Sequence, residues 1–351
     1  MNKSPQDIST HIQQNSQLLA QAILEDIYGR FPQMVSSDPI AQQKSLRDLG
    51  FHLAYLAEAM AVEDVSLFVD YIDWIKLLFA NLPLPEDTLN IVLMSMDHVL
   101  KRAYSESYSQ FIAPYIDKGW RVISDELMGV QDTFIHEKAH LGTLAQKYLQ
   151  TLLTGERQAG SQLILDYVQD IESVKDVYLY VFQPVQYEIG RLWQTNKITV
   201  AEEHYCTAVT QLIMSQLYSY IFTAPRVGRK MVATSVSGEL HEIGIRMVTD
   251  FFEMNGWDTY YLGANTPHQS IISILQEKKA DVLAISATIT FHVSEVKKLI
   301  QKIRSQPEVA STKILVGGYP FLVAPQLWKA VGADGYAVDA KQATNIAEKL
   351  I

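Results

Sequence analysis

Met231-Val232-Ala233-Thr234-Ser235-Val236-Ser237-Gly238-Glu239-Leu240-His241-Glu242-Ile243-Gly244 is the stretch in which the period of the sequence changes. Before it, apolar residues recur at the three- and four-residue spacing of helices. Here a short β-branched run passes through a polar, glycine-containing loop into an amphipathic segment over 243–254. The same alternation then repeats. Strands are predicted over 231–236, 260–262, 282–286 and 314–316 with a fifth ending near 336, and helices over 270–277, 293–304 and 340–351. Strands that alternate with helices pair in parallel through right-handed crossovers, so residues 227–351 are predicted to form an α/β doubly wound, flavodoxin-like domain on a parallel five-stranded sheet.

Ligands of such sheets sit beyond the carboxyl ends of the strands. The residues there are Ser235 to Gly244 after strand one, Ser286-Ala287-Thr288 after strand three, Gly317-Gly318-Tyr319 after strand four and Tyr336-Ala337-Val338-Asp339 after strand five. Glycines let a backbone approach a large ligand closely. No G-x-G-x-x-G follows the first strand and no G-x-x-x-x-G-K-[ST] occurs, so dinucleotide and P-loop readings fail where they would have to appear. The first loop offers His241 instead, with Glu239 two residues before it. An imidazole ligates transition metals, and a carboxylate on its other nitrogen fixes the tautomer and raises basicity. By itself a Glu-x-His also suits a solvated surface histidine.

Upstream, residues 1–127 read as an all-α N-terminal domain. Leu46, Leu49, Leu53, Leu56, Ala57 and Met60 share a helical spacing, and Pro32, Pro39, Pro83, Pro85 and Pro114 divide the stretch into about six helices. Residues 128–226 read as a four-helix bundle with segments near 133–153, 157–171, 173–194 and 199–223. Thr199 with Glu202 predicts a capping box at the last of these. The chain is thus a multi-domain one. Its 351 residues carry a formal net charge of -10, which argues against an extended nucleic-acid surface. The N-terminus lacks a signal-peptide core and no apolar run is long enough to span a bilayer, so a cytoplasmic protein without membrane contact is expected. Cys206 is the single cysteine, which excludes an intrachain disulfide.

The string Glu239-Leu240-His241-Glu242-Ile243-Gly244, with Ser286-Ala287-Thr288, Gly317-Gly318 and Gly332-Ala333-Asp334-Gly335-Tyr336, resembles the cobalamin-binding domain of methionine synthase, the mutases and cobalamin photoreceptors. The resemblance covers about residues 229–351. It implies that His241 is the cobalt ligand in place of the cofactor's own base, and that the nucleotide tail threads past the serine and glycine positions. On that basis Ser237, Glu239, Leu240, Glu242, Ile243, Gly244, Ser286, Thr288, Gly317, Gly318 and Tyr336 are expected to surround the cofactor. Glu239 stands where most of that superfamily has Asp.

In the bundle, Trp193 is followed after nine residues by Glu203-His204. This resembles the W-x9-E-H signature of CarH-type cobalamin photoreceptors, which implies that Trp193, Val200, Glu203 and His204 cover the upper face and adenosyl group of adenosylcobalamin. The plain alternative makes Trp193 a bundle core residue and Glu203-His204 a polar helix face. Where that type has a second histidine after the tryptophan, this sequence has Gln194, a poor cobalt ligand. The resemblance implies a light sensor in which loss of the adenosyl group changes domain packing, with a light-dependent homo-oligomer and a downstream signalling protein as partners.

No helix-turn-helix precedes the bundle. The N-terminal segment more closely resembles that of photocobilins, which add biliverdin, and His52, Asp70, Tyr71, Asp73, Trp74 and His98 are candidates to line a tetrapyrrole pocket. They serve equally as ordinary core and surface residues. Cys206 is read as buried filler before a bilin anchor. Two other classes remain: a corrinoid methyl carrier serving a methyltransferase, and a light-independent cobalamin-sensing interaction protein. No Ser-His-Asp or paired-carboxylate constellation is found, so an enzyme is not expected.

Overall fold

The computed structural model describes residues 4–125 and 132–351. The expected boundary at 127/128 lies outside the described residues. The chain forms two compact units, one of residues 1–128 with 289–294, the other of 129–288 with 295–351.

The first unit is helical: α1 (Pro5–Gln14), α2 (Ser16–Arg30), α3 (Pro39–Ala61), α4 (Ser66–Ala80), α5 (Thr88–Ala103) and α6 (Ala113–Ser124). Its helix starts are written locally. Ser4 caps α1 in a capping box with Asp7, and the Asp38 carboxylate accepts from the Ile40 N–H with Pro39 in the first turn of α3. Of the spaced apolar residues on α3, Leu49, Leu53, Leu56, Ala57 and Met60 are buried. Phe68, Tyr71 and Ile72 of α4 add to the core.

The second unit begins with the bundle helices α7 (Gly142–Leu153), α8 (Arg157–Tyr167), α9 (Ile171–Val177), α10 (Gln183–Gln194), α11 (Val200–Gln216) and α12 (Tyr218–Ile221). The expected helix from 133 starts only at Gly142. Leu141 sits in the left-handed region, and a side chain at Gly142 would collide with the His136 carbonyl 2.0 Å away, so the chain turns there first. A single π turn over Tyr178–Phe182 joins α9 to α10, making one long bundle helix of what reads as 173–194. The Thr199–Glu202 capping box forms as expected.

The sheet follows: β1 (Lys230–Ser235), β2 (Asp258–Tyr261), β3 (Val282–Ser286), β4 (Lys313–Gly317) and β5 (Gly335–Tyr336), in the order β2-β1-β3-β4-β5 and parallel throughout. Its helices are α13 (Ile243–Met254), α14 (His268–Lys278), α15 (Val293–Arg304), α16 (Tyr319–Val323), α17 (Leu327–Val331) and α18 (Ala340–Leu350). The fold is therefore the helical segment, helical cap and five-stranded parallel sheet that the periodicity predicts. α13 buries two faces. Ile245 and Phe252 pack with Met231, Ala233 and Trp257 on the sheet, while Met247, Phe251 and Met254 enter the core of the bundle with Tyr148, Tyr178 and Phe182. Each large apolar side chain so buried contributes about 2 kcal/mol, and cap and sheet share a core through the helix that starts two residues after His241.

Candidate cobalamin site

β1 ends at Ser235, and the loop that follows is tied down residue by residue. The Ser235 hydroxyl donates to the His241 carbonyl at 2.8 Å, the Gly238 N–H donates to the Asn265 side chain at 2.8 Å, and the Asn265 N–H donates to the Glu239 carbonyl at 3.0 Å. Asn265 takes a left-handed backbone, which asparagine tolerates better than most residues.

Within this loop Glu239 has no exposed surface. Its Oε1 accepts from the His241 backbone N–H at 3.0 Å and pairs with His241 Nδ1 at 2.5 Å; its Oε2 accepts from the Thr288 N–H, after β3, at 2.7 Å. A carboxylate only accepts, so in the neutral ring Nδ1 carries the proton and Nε2 keeps its lone pair. The His241 side chain is 57% exposed beside Leu240, which is 73% exposed. The hydrogen bond that His241 donates to Glu239 raises the His241 pKa above the ordinary range; burial opposes it and the negative charges of Glu239 and Glu203 reinforce it. Glu203 of α11 thus acts on His241 through its field.

The neighbouring loops make room. Gly318 has φ near 103°, and a side chain there would meet the Ala287 carbonyl at 2.0 Å, so only glycine lets β4 turn away at this edge. Ser286 is paired with Gly317 and Ser235 in the ladder, and Tyr336 and Thr288 are half-buried. Gly244 opens onto space. Ser237 and Ile243 are half-buried on the first loop and at the start of α13.

Glu242 connects this edge to the cap: its Oε1 accepts from Gln211 Nε2 of α11 at 3.1 Å and its Oε2 from the Ala264 N–H at 3.1 Å. Arg246 donates to the Gln211 carbonyl and the Ser215 hydroxyl. On the cap, Trp193 is half-buried and Val200 exposed. Glu203 accepts from Thr207 at 3.1 Å and pairs with Nδ1 of His204, whose side chain is 76% exposed. Gln194 is half-buried.

Reading the sequence missed Asn265, Gln211 and Arg246. The Asn before Thr266-Pro267 was a usable turn signal; the two cap latches had none, because their partners lie far away in sequence.

The site fits a corrinoid. His241 would offer one oriented imidazole to the metal of a macrocyclic cofactor, and Glu239 would hold that ring in place. Residues 229–344 match the sequence model of the B12 binding domain, and residues 144–218 match a second B12 binding domain model. The chain carries a cobalamin-binding module. Over 123 residues this chain is 32% identical to a corrinoid protein of Desulfitobacterium hafniense, 35% of this chain and 56% of that one. Over 122 residues it is 30% identical to the dimethylamine corrinoid protein of Methanosarcina barkeri, 34% of this chain and 56% of the relative. The chain spans about half the length of the curated relatives it matches. The structure of the Methanosarcina barkeri monomethylamine corrinoid protein superposes with a TM-score of 0.53 at 18% identity, covering 60% of this chain and 100% of that one, which establishes a shared fold.

In the helical unit, the residues singled out for a tetrapyrrole divide. His52, Tyr71 and Trp74 share one aromatic cluster with Tyr55 and Phe79. Asp73 is exposed, Asp70 is half-buried, and His98 lies apart, paired with Asp26 of α2 at 2.6 Å. Cys206 is buried, and burial pushes its thiol up to about 11, so it packs as an apolar side chain. Among the described residues no helix is long and apolar enough to cross a membrane.

Proposed function

We propose that this chain is a corrinoid protein in which His241 is the protein ligand to cobalt, and that it works as a carrier of a cobalt-bound methyl group for a partner methyltransferase rather than as an enzyme itself. The observation that carries the reading is the Glu239–His241 pair, with Nδ1 held at 2.5 Å and the ring exposed beside Leu240. When bound, a cobalamin would supply a cobalt centre that accepts and releases an alkyl group. Glu239 orients the imidazole and makes it more basic, and its bond to the Thr288 N–H keeps the carboxylate from turning away. Leu240, Val200 and Trp193 offer apolar surface to a flat macrocycle, and the small residues after β3 and β4 leave space for its tail. The relative named as a dimethylamine corrinoid protein joins a corrinoid to a methylated amine, which supports the carrier.

A second reading, an adenosylcobalamin light sensor, is favoured by one feature of the cap. Glu203 stands close enough to raise the His241 pKa, in the W-x9-E-H spacing with Trp193 and His204. The test reconstitutes the full chain, labelled with isotopic histidine, with cobalt(II) cobalamin. Electron paramagnetic resonance should show coupling to a single protein nitrogen, lost in His241→Ala; its absence in the unmutated protein overturns the ligand assignment. Affinities for methyl- and adenosylcobalamin then separate the readings. Methylcobalamin binding as tight as adenosylcobalamin, with no change in sedimentation on illumination, supports the carrier; preference for adenosylcobalamin with a light-dependent change in oligomeric state supports the sensor.

A further inference from the structure

Tyr71 of α4 and His52 of α3 lie in the core of the helical unit, 4% and 5% exposed, and the Tyr71 hydroxyl is 2.6 Å from His52 Nδ1. Burial pushes the His52 pKa down to about 4, so the ring is neutral at neutral pH. Burial, reinforced by Tyr55 and Asp48, holds the Tyr71 phenol well above its ordinary range, so it is neutral too. Among the described residues Nδ1 is the one hydrogen-bond partner of this hydroxyl. An O–H turned elsewhere would be buried without an acceptor, so the hydroxyl donates, Nδ1 accepts and the ring proton sits on Nε2.

The phenol is also part of a stack. Tyr55 lies on it with centroids 3.7 Å apart and planes 12° from parallel, and Trp74 lies 6.4 Å away at 21°. Tyr55 and Trp74 are only half-buried, so π-rings lead from the surface of the helical unit to a phenol with a base on its hydroxyl. Tyr104 meets a histidine as well, His11 at 2.8 Å, but that residue is exposed and water competes for it.

We propose that Tyr71 is a redox-active tyrosine: it gives one electron, by way of the Tyr55 and Trp74 rings, to a one-electron oxidant of the radical class at the surface, while its phenolic proton moves to His52 Nδ1. The O–H bond breaks, an N–H bond forms, and the oxidant is reduced by one electron. A neutral phenoxyl radical is left beside an imidazolium. The physical basis is the acidity of an oxidised phenol, which is far greater than that of the phenol itself. In a core without water its proton can leave only to a group already in hydrogen-bond contact. A one-electron reductant such as a thiolate restores the phenol, and the desolvated imidazolium readily returns the proton along the same bond. The helical unit thereby collects an oxidising equivalent on one buried ring.

The test uses the full chain with a photogenerated ruthenium(III) polypyridyl oxidant, read by electron paramagnetic resonance, and compares the unmutated protein with Tyr71→Phe, His52→Asn and Tyr104→Phe. The unmutated chain should give a phenoxyl signal with the g-tensor of a strongly hydrogen-bonded radical, formed more slowly in deuterium oxide. Tyr71→Phe should remove it and Tyr104→Phe should leave it in place. His52→Asn keeps an oxygen acceptor in place of Nδ1 but no base; the signal should fall about tenfold, the factor that loss of one hydrogen bond to a charged group gives. A histidine that only packs would leave the signal of His52→Asn unchanged. Circular dichroism identifies a variant that has merely unfolded, and His52→Phe replaces His52→Asn in that case. A signal unchanged in folded Tyr71→Phe, or no signal in the unmutated chain, overturns the proposal, and an unchanged signal in the folded His52 variant overturns proton transfer to His52. None of these outcomes depends on the corrinoid assignment.

Discussion

His52 and His241 are the same residue type, each with a hydrogen-bond partner at Nδ1 within 2.6 Å, and they behave in opposite ways. His52 lies in the helical unit, 5% exposed among Tyr71, Tyr55 and Phe79, and burial depresses its pKa to about 4. His241 lies on the sheet edge with a carboxylate partner and an exposed ring, and its pKa is raised. A tyrosine hydroxyl satisfies a neutral imidazole without compensating the desolvation of a charged one; a buried carboxylate does compensate it. Partner chemistry, more than hydrogen-bond distance, thus separates a packing histidine from one proposed to bind a metal.

The largest expected effect breaks the comparison at its functional end. His241→Ala should abolish protein-nitrogen coupling to cobalt, whereas His52→Phe should leave it in place; loss of coupling in both variants as folded proteins would mean that the two histidines are not distinct in role.

The next effect concerns pH. His52 has a folded pKa below its unfolded value near 6.5, so the unfolded chain takes up the proton first and the helical unit loses stability as pH falls from about 6.5 to about 4. In the module, Asp250 has its pKa raised to about 6 by burial, although the Tyr178 and Tyr218 hydroxyls donate to it at 2.8 and 3.1 Å. Its folded state takes up the proton first, so the module gains stability as pH falls from about 6 toward 3.8. Each contribution is at most about 3 kcal/mol. Hydrogen exchange read separately on peptides of 39–80 and 171–254 should show slopes of opposite sign, with the second flattened in Asp250→Asn. Equal slopes in both regions would refute the assignment of these two groups.

The smallest effect sharpens the comparison at the partner. Glu239→Gln replaces the carboxylate with an amide that still fills the space, and cobalamin affinity should fall about tenfold, as for other groups that orient a metal-bound histidine. Equilibrium dialysis showing no loss would leave Glu239 a structural residue only.

Much of the module was legible before the structure. The switch from helical to strand period at 231, the Glu239-x-His241 loop and the Thr199–Glu202 capping box are local patterns, and local patterns are what neighbouring residues along a chain can specify. The helical unit was legible as helices and little else. That His98 pairs with Asp26 instead of joining His52 depends on how α2 and α5 meet, which spacing within one helix does not encode.

By itself, then, the sequence determined the parallel sheet, the loop that carries the imidazole and the residue types around it, because period, glycine placement and capping are short-range. Tertiary structure alone decided that Glu239 would be wholly buried and locked by Thr288, forty-nine positions away, and that Asp250 would meet Tyr178 across 72 positions. The affinity of a histidine for a proton or a metal depends on what is buried beside it, and burial is set by chain segments that the local sequence does not contain.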